Sequence, residues 1–124
     1  MTSPKINFSP KGLFIGGKWV DSYKGERFST INPSNGQHLG EVPLAEKEDV
    51  NRAVIAAKQA FQDWRKMPLK ERAGFLIKLA DKLLENRDEL GMMDCVDSGN
   101  ARNGMKGDVD WSSDSLKYFA GLIS

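Results

Sequence analysis

The sequence predicts an α+β segment in which short strands come first and about four helices follow. Two observations carry this. Over residues 13–42 the apolar residues fall in short clusters separated by Gly, Pro, Asn and Ser, the punctuation of strands and tight turns. From Glu46 onward the apolar residues recur at spacings of three and four, the period of an amphipathic helix.

Leu13-Phe14-Ile15, Gly16-Gly17 and Lys18-Trp19-Val20 predict a hairpin, because glycine tolerates the positive φ that a two-residue turn needs. Arg27-Phe28-Ser29-Thr30-Ile31 predicts a further strand, stopped by Asn32-Pro33-Ser34-Asn35-Gly36. Leu39-Gly40-Glu41-Val42 predicts another, ended by Pro43. The first helix carries Val50, Ala53, Val54, Ala57, Ala60, Phe61 and Trp64 on one face. Glu46, Glu48 and Asp49 sit in its first turn, where negative charge complements the exposed amides. A second helix starts near Pro68 and carries Ala73, Leu76, Leu79, Ala80, Leu83 and Leu84 on one face. A third runs from about Asp88 to Val96 and ends at Ser98-Gly99-Asn100. A fourth is expected after Gly107, with Trp111, Leu116, Phe119 and Leu122 on its apolar side. The closing Leu122-Ile123-Ser124, with no turn or polar tail, is the ending expected of a truncated chain.

Composition narrows the functional classes. Of 124 residues, 40% are hydrophobic and 28% charged, a globular balance that excludes a disordered or collagen-like chain. Eighteen basic side chains against seventeen acidic ones give a net charge of +1, which supplies no basic field for a nucleic acid or an anionic membrane. No apolar run approaches the ~20 residues of a spanning helix. The single cysteine, Cys95, excludes an intrachain disulfide and a zinc–thiolate cluster, and a reducing compartment fits it. The amino terminus, Met1-Thr2-Ser3-Pro4-Lys5, lacks a signal-peptide apolar run, so the expected location is the cytoplasm.

Several motifs touch on chemistry without completing it. Gly12-Leu13-Phe14-Ile15-Gly16-Gly17-Lys18 follows a phosphate-binding loop for seven positions, then fails at Trp19, where Ser or Thr would hold Mg²⁺. It reads as a hairpin turn. Asp108, Asp110, Ser112 and Asp114 alternate like the start of a calcium loop, but Ser113 replaces the required glycine and Phe119 the closing glutamate. An acidic helix start is the expected reading. Cys95 lies beside Asp94 and Asp97, which oppose thiolate formation, so it reads as a structural thiol. His38, the only histidine, reads as a solvated turn residue. Asp94 and Asp97 share a helix face; a solvated surface is the default for such a pair, with acid–base chemistry or cation binding as the alternative. Met92, Met93 and Met105 read as packing.

The order of these features resembles the amino-terminal part of the aldehyde dehydrogenase superfamily. The resemblance is carried by Phe14-Ile15-Gly16-Gly17-Lys18-Trp19-Val20, then Phe28-Ser29-Thr30-Ile31-Asn32-Pro33-Ser34-Asn35-Gly36. It continues through Glu48-Asp49-Val50-Asn51-Arg52-Ala53-Val54-Ile55-Ala56-Ala57, Ala60-Phe61, Trp64, Arg72 and Leu79-Ala80-Asp81. Asp97-Ser98-Gly99 and Tyr118-Phe119-Ala120-Gly121-Leu122 complete it. The resemblance implies an aldehyde dehydrogenase-like α/β fold, with this segment forming the N-terminal part of the cofactor-binding domain. Within it, 1–12 is a tail, 13–45 a strand-rich arm and 46–124 a helical part packing on a Rossmann-like domain absent from this chain.

It also implies oxidation of an aldehyde to an acid with NAD or NADP. A cysteine thiolate would attack the carbonyl, hydride would pass to the nicotinamide, and a glutamate would help water release the acyl enzyme. Those residues, the oxyanion-hole asparagine and the cofactor-binding glycines are expected beyond this sequence, and Cys95 does not match the nucleophile motif. No catalytic or cofactor-binding residue is therefore expected here, and the 124-residue chain alone is expected to be inactive. The resemblance places a partial monovalent-cation site at Thr30, Ile31 and Asp97, with Ile31 contributing its backbone carbonyl. Asn100 departs from the lysine that the family often carries after the glycine. A homodimeric or homotetrameric parent is implied, with no nucleic-acid or membrane partner. The rival reading is a stand-alone interaction or regulatory module derived from the dehydrogenase N-terminus.

Overall fold

The computed structural model describes residues 11–123. The tail assigned to 1–12 therefore lies outside the described residues except for its last two positions, as does Ser124. Strands β1 (Leu13–Ile15), β2 (Lys18–Val20), β3 (Arg27–Ile31) and β4 (His38–Pro43) precede helices α1 (Lys47–Trp64), α2 (Leu69–Glu85), α3 (Arg87–Ser98) and α4 (Arg102–Ile123). The described residues form two compact units. One holds 11–31 and Gly36–Lys66, that is, both hairpins and α1; the other holds Asn32–Asn35 and 67–123.

In the first unit, β1 and β2 pair antiparallel with Leu13 opposite Val20 and Phe14 opposite Trp19. The turn follows from its two glycines, whose φ values of 61° and 78° are the left-handed pair that a two-residue hairpin of matching twist requires. The Phe14 and Trp19 rings meet across the ladder at 5.1 Å between centroids, a favourable cross-strand aromatic pair.

β3 and β4 form a second antiparallel hairpin from Arg27 opposite Pro43 to Thr30 opposite Gly40, after which Ile31 faces His38. Leu39 is thus an extra residue, a β-bulge. This corrects the expected strand. The bulge carries the ladder on to His38, which is a strand residue rather than a turn residue. Pro43 is the strand's last residue rather than the one after it, a place where a missing N–H is tolerated.

α1 is anchored at its start by Asp49. Its carboxylate accepts the Glu46 N–H at 2.9 Å and the Tyr23 N–H at 3.0 and 3.1 Å, and it pairs with Arg52. Arg52 also donates to the Asp21 carbonyl at 3.1 Å. Asp49 is 1% exposed, so it ties the chain after β2 to the first turn of α1 with its charge fully compensated. The expected apolar face of α1 is present but lies in the open: Val50, Val54 and Phe61 are each about half exposed.

In the second unit, ion pairs fix the helix directions. Asp81 pairs with Lys117, Arg87 with Asp110 and Asp88 with Lys106, so numbers fall along α4 as they rise along α2 and α3. Both α2 and α3 therefore run antiparallel to α4. Only Asn86 separates α2 from α3, and together they form a bent rod along a 22-residue helix about 33 Å long. The seam is built from small residues: Ala73 and Ala80 of α2, Gly91 of α3, and Val109, Ser113 and Ala120 of α4 are buried.

Pro68 stands just before α2 rather than inside it, its carbonyl accepting the N–H groups of Glu71 and Arg72. α4 starts at Arg102, earlier than the expected start after Gly107. Packing outweighs the poor helix propensity of Gly104 and Gly107, because the first turns of α4 lie against α3, with Lys106 beside Gly91 and paired to Asp88. The expected apolar side of α4 is also corrected. Trp111, Phe119 and Leu122 are 73%, 58% and 63% exposed, whereas the buried side is Val109, Ser113 and Ala120.

Candidate functional site

The residues singled out for cation binding flank two turns. The first, after β3, is closed locally: the Asn32 Oδ1 accepts the Ser34 N–H at 2.9 Å and the Ser34 hydroxyl at 2.6 Å, and the Asn32 carbonyl accepts the Asn35 N–H. The second ends α3. Gly99 takes the left-handed conformation at φ 76°, and its N–H caps the Cys95 carbonyl at 3.0 Å. Ser98 Oγ donates to the Asp94 carbonyl at 2.6 Å and accepts the Asn100 N–H at 3.2 Å.

Within the helical unit these turns touch. A Cβ added at Gly99 would lie 2.9 Å from Pro33 Cγ, so the Asn-Pro turn seats on a position that only glycine suits. Thr30 and Ile31, the residues just before that turn, belong to the strand unit. Thr30 is half-buried, and Ile31 has a side chain 54% exposed. Asp97 is an exposed residue of the last turn of α3, in the helical unit.

The other motifs resolve into structure. Gly16-Gly17 leads into β2, not a helix, so the sequence that follows a phosphate-loop pattern forms a hairpin turn. Asp108, Asp110, Ser112 and Asp114 lie along the continuous helix α4, which cannot fold around a calcium ion, and Asp110 is taken by Arg87. They sit within the helix body rather than at its start. Cys95 is half-buried, and its backbone carbonyl accepts the Gly99 N–H at the end of α3. His38 Nε2 lies 3.2 Å from Glu41 Oε1, which also accepts the Ser29 hydroxyl; no hydrogen bond joins serine to histidine, so the trio is not a relay. Among the described residues, no group of three or more His, Cys, Asp or Glu side chains could hold a metal ion.

Electrostatics point the same way. The Glu46 N–H holds the Asp49 carboxyl below the usual carboxylate range, with the Tyr23 N–H and Arg52 adding to it. Arg87 lowers Asp110 and is itself raised by it, Lys106 lowers Asp88, and the Ser29 hydroxyl followed by His38 lowers Glu41. Glu46 raises Lys24. Every one of these shifts favours the charged form through a hydrogen-bonded partner, the signature of structural ion pairs. Sequence reasoning placed Asp49 only as a helix-start charge and gave Gly91 and Arg87 no role. For Asp49 a signal existed, since an acid three residues into a helix is the capping-box position.

Comparison with known proteins identifies the family. The sequence model described as "Aldehyde dehydrogenase family" matches residues 19–124. An acetaldehyde dehydrogenase of Pseudomonas aeruginosa is 35% identical over 120 residues, covering 95% of this chain and 24% of that protein. The crystal structure of HpcC from Thermus thermophilus superposes with a TM-score of 0.89 at 30% identity, covering 94% of this chain and 22% of that one. An NAD-dependent aldehyde dehydrogenase from Sinorhizobium meliloti gives a TM-score of 0.87 at 29% identity, covering 96% and 24%. The chain thus spans about a quarter of the length of these relatives. The sequence match covers residues 19–124 and the superposition 94% of the chain, and it belongs to the aldehyde dehydrogenase family, of which it carries the N-terminal region.

Proposed function

We propose that this chain is the N-terminal part of the cofactor-binding domain of an NAD(P)-dependent aldehyde dehydrogenase that oxidises an aldehyde to a carboxylic acid, and that the 124 residues alone do not turn over. The observation that carries it is the family match over residues 19–124, together with relatives named for aldehyde oxidation and, in one case, for NAD dependence. The same reading assigns no cofactor-binding residue within residues 1–124. NAD or NADP supplies hydride acceptance when bound to the whole enzyme.

This chain supplies scaffold: the 13–45 strand-rich arm and the helices of 46–124. The same reading assigns Thr30, the Ile31 carbonyl and Asp97 to a monovalent-cation site completed elsewhere in the parent, a set of hard oxygen donors suited to such an ion. It also places the parent in the cytoplasm as a homodimer or homotetramer. Reduced nicotinamide is the readout. The purified chain, offered an aldehyde with NAD or NADP, is expected to form none, and turnover by it sinks the proposal. In a full-length form, Asp97→Asn is expected to shift the potassium or sodium concentration needed for half-maximal activity. An unchanged cation dependence removes Asp97 from the site.

A further inference from the structure

We draw no further inference here: the strongest candidate, the exposed aromatic face of α4 formed by Trp111, Tyr118 and Phe119, is an unpartnered apolar surface in a chain spanning about a quarter of its relatives, and nothing in the structure shows what covers it.

Discussion

Asp49 combines near-complete burial with a carboxylate held by two backbone amides and Arg52, and this makes it a pH-sensitive tie. Its folded-state pKa lies below the unfolded value of about 3.9. The stability it contributes is therefore fully present above that value and is lost as pH falls through the lower folded-state value. Urea unfolding followed between about pH 5 and 2 should show the stability gap between the parent and Asp49→Asn closing on acidification; a gap independent of pH would refute the role. Gly99 combines a left-handed backbone with contact to Pro33, so Gly99→Ala should cost about 1–3 kcal/mol, read from the urea midpoint. Ser113 is the reverse case. It is fully buried and its hydroxyl has no hydrogen-bond partner among the described residues, so Ser113→Ala should be neutral or stabilise by up to about 1 kcal/mol. Much at this scale was readable from sequence: Gly16-Gly17 as a turn, Gly99 as a helix stop. The Asp49 bonds to the Tyr23 amide were not, because they join residues 26 positions apart through a backbone group that carries no sequence signature.

Elements were legible wherever local pattern decides them and illegible where a neighbour does. Strands β1 and β3 follow from alternation and turn residues, and α2 and α3 from apolar period and a glycine stop. The start of β4 shifted because a bulge is a property of the pair, not of one strand. The start of α4 shifted because Gly104 and Gly107 argue locally against helix, yet α3 provides a packed surface for it. Two glycines inside helices make this testable. A Cβ at Gly74 would meet nothing within 4 Å, so Gly74→Ala should stabilise α2 by about 0.5–1 kcal/mol. A Cβ at Gly91 would sit 3.1 Å from the Lys106 backbone nitrogen, so Gly91→Ala should destabilise by about 1 kcal/mol or more despite the same gain in propensity. Thermal unfolding of the two variants should move in opposite directions; equal stabilisation would mean that α3 and α4 are not in close contact.

The whole molecule is dominated by uncovered apolar surface. α4 buries Val109, Ser113 and Ala120 on one side while Trp111, Tyr118 and Leu122 stand exposed on the other, and a helix apolar on both sides is one built for an interior. α1 likewise leaves Val50, Val54 and Phe61 exposed. The buried apolar side chains number only Ala73, Ala80, Val109 and Ala120 among the described residues, too small a set to be the core of a self-sufficient enzyme domain. The proposed cation site comes only from family resemblance, because the donors it would use, a hydroxyl, a backbone carbonyl and a helix-end carboxylate, do not stand out by composition. No helix among the described residues is long and apolar enough to cross a membrane. The uncovered apolar faces support the proposal that this chain packs against further parts of a longer enzyme. The most direct test joins it to the region of the Pseudomonas aeruginosa acetaldehyde dehydrogenase beyond the matched part and follows reduced nicotinamide with acetaldehyde, alongside the 124-residue chain alone. The account predicts turnover by the joined polypeptide and none by the short chain. Turnover by the short chain, or a well-folded joined polypeptide with none, would contradict it.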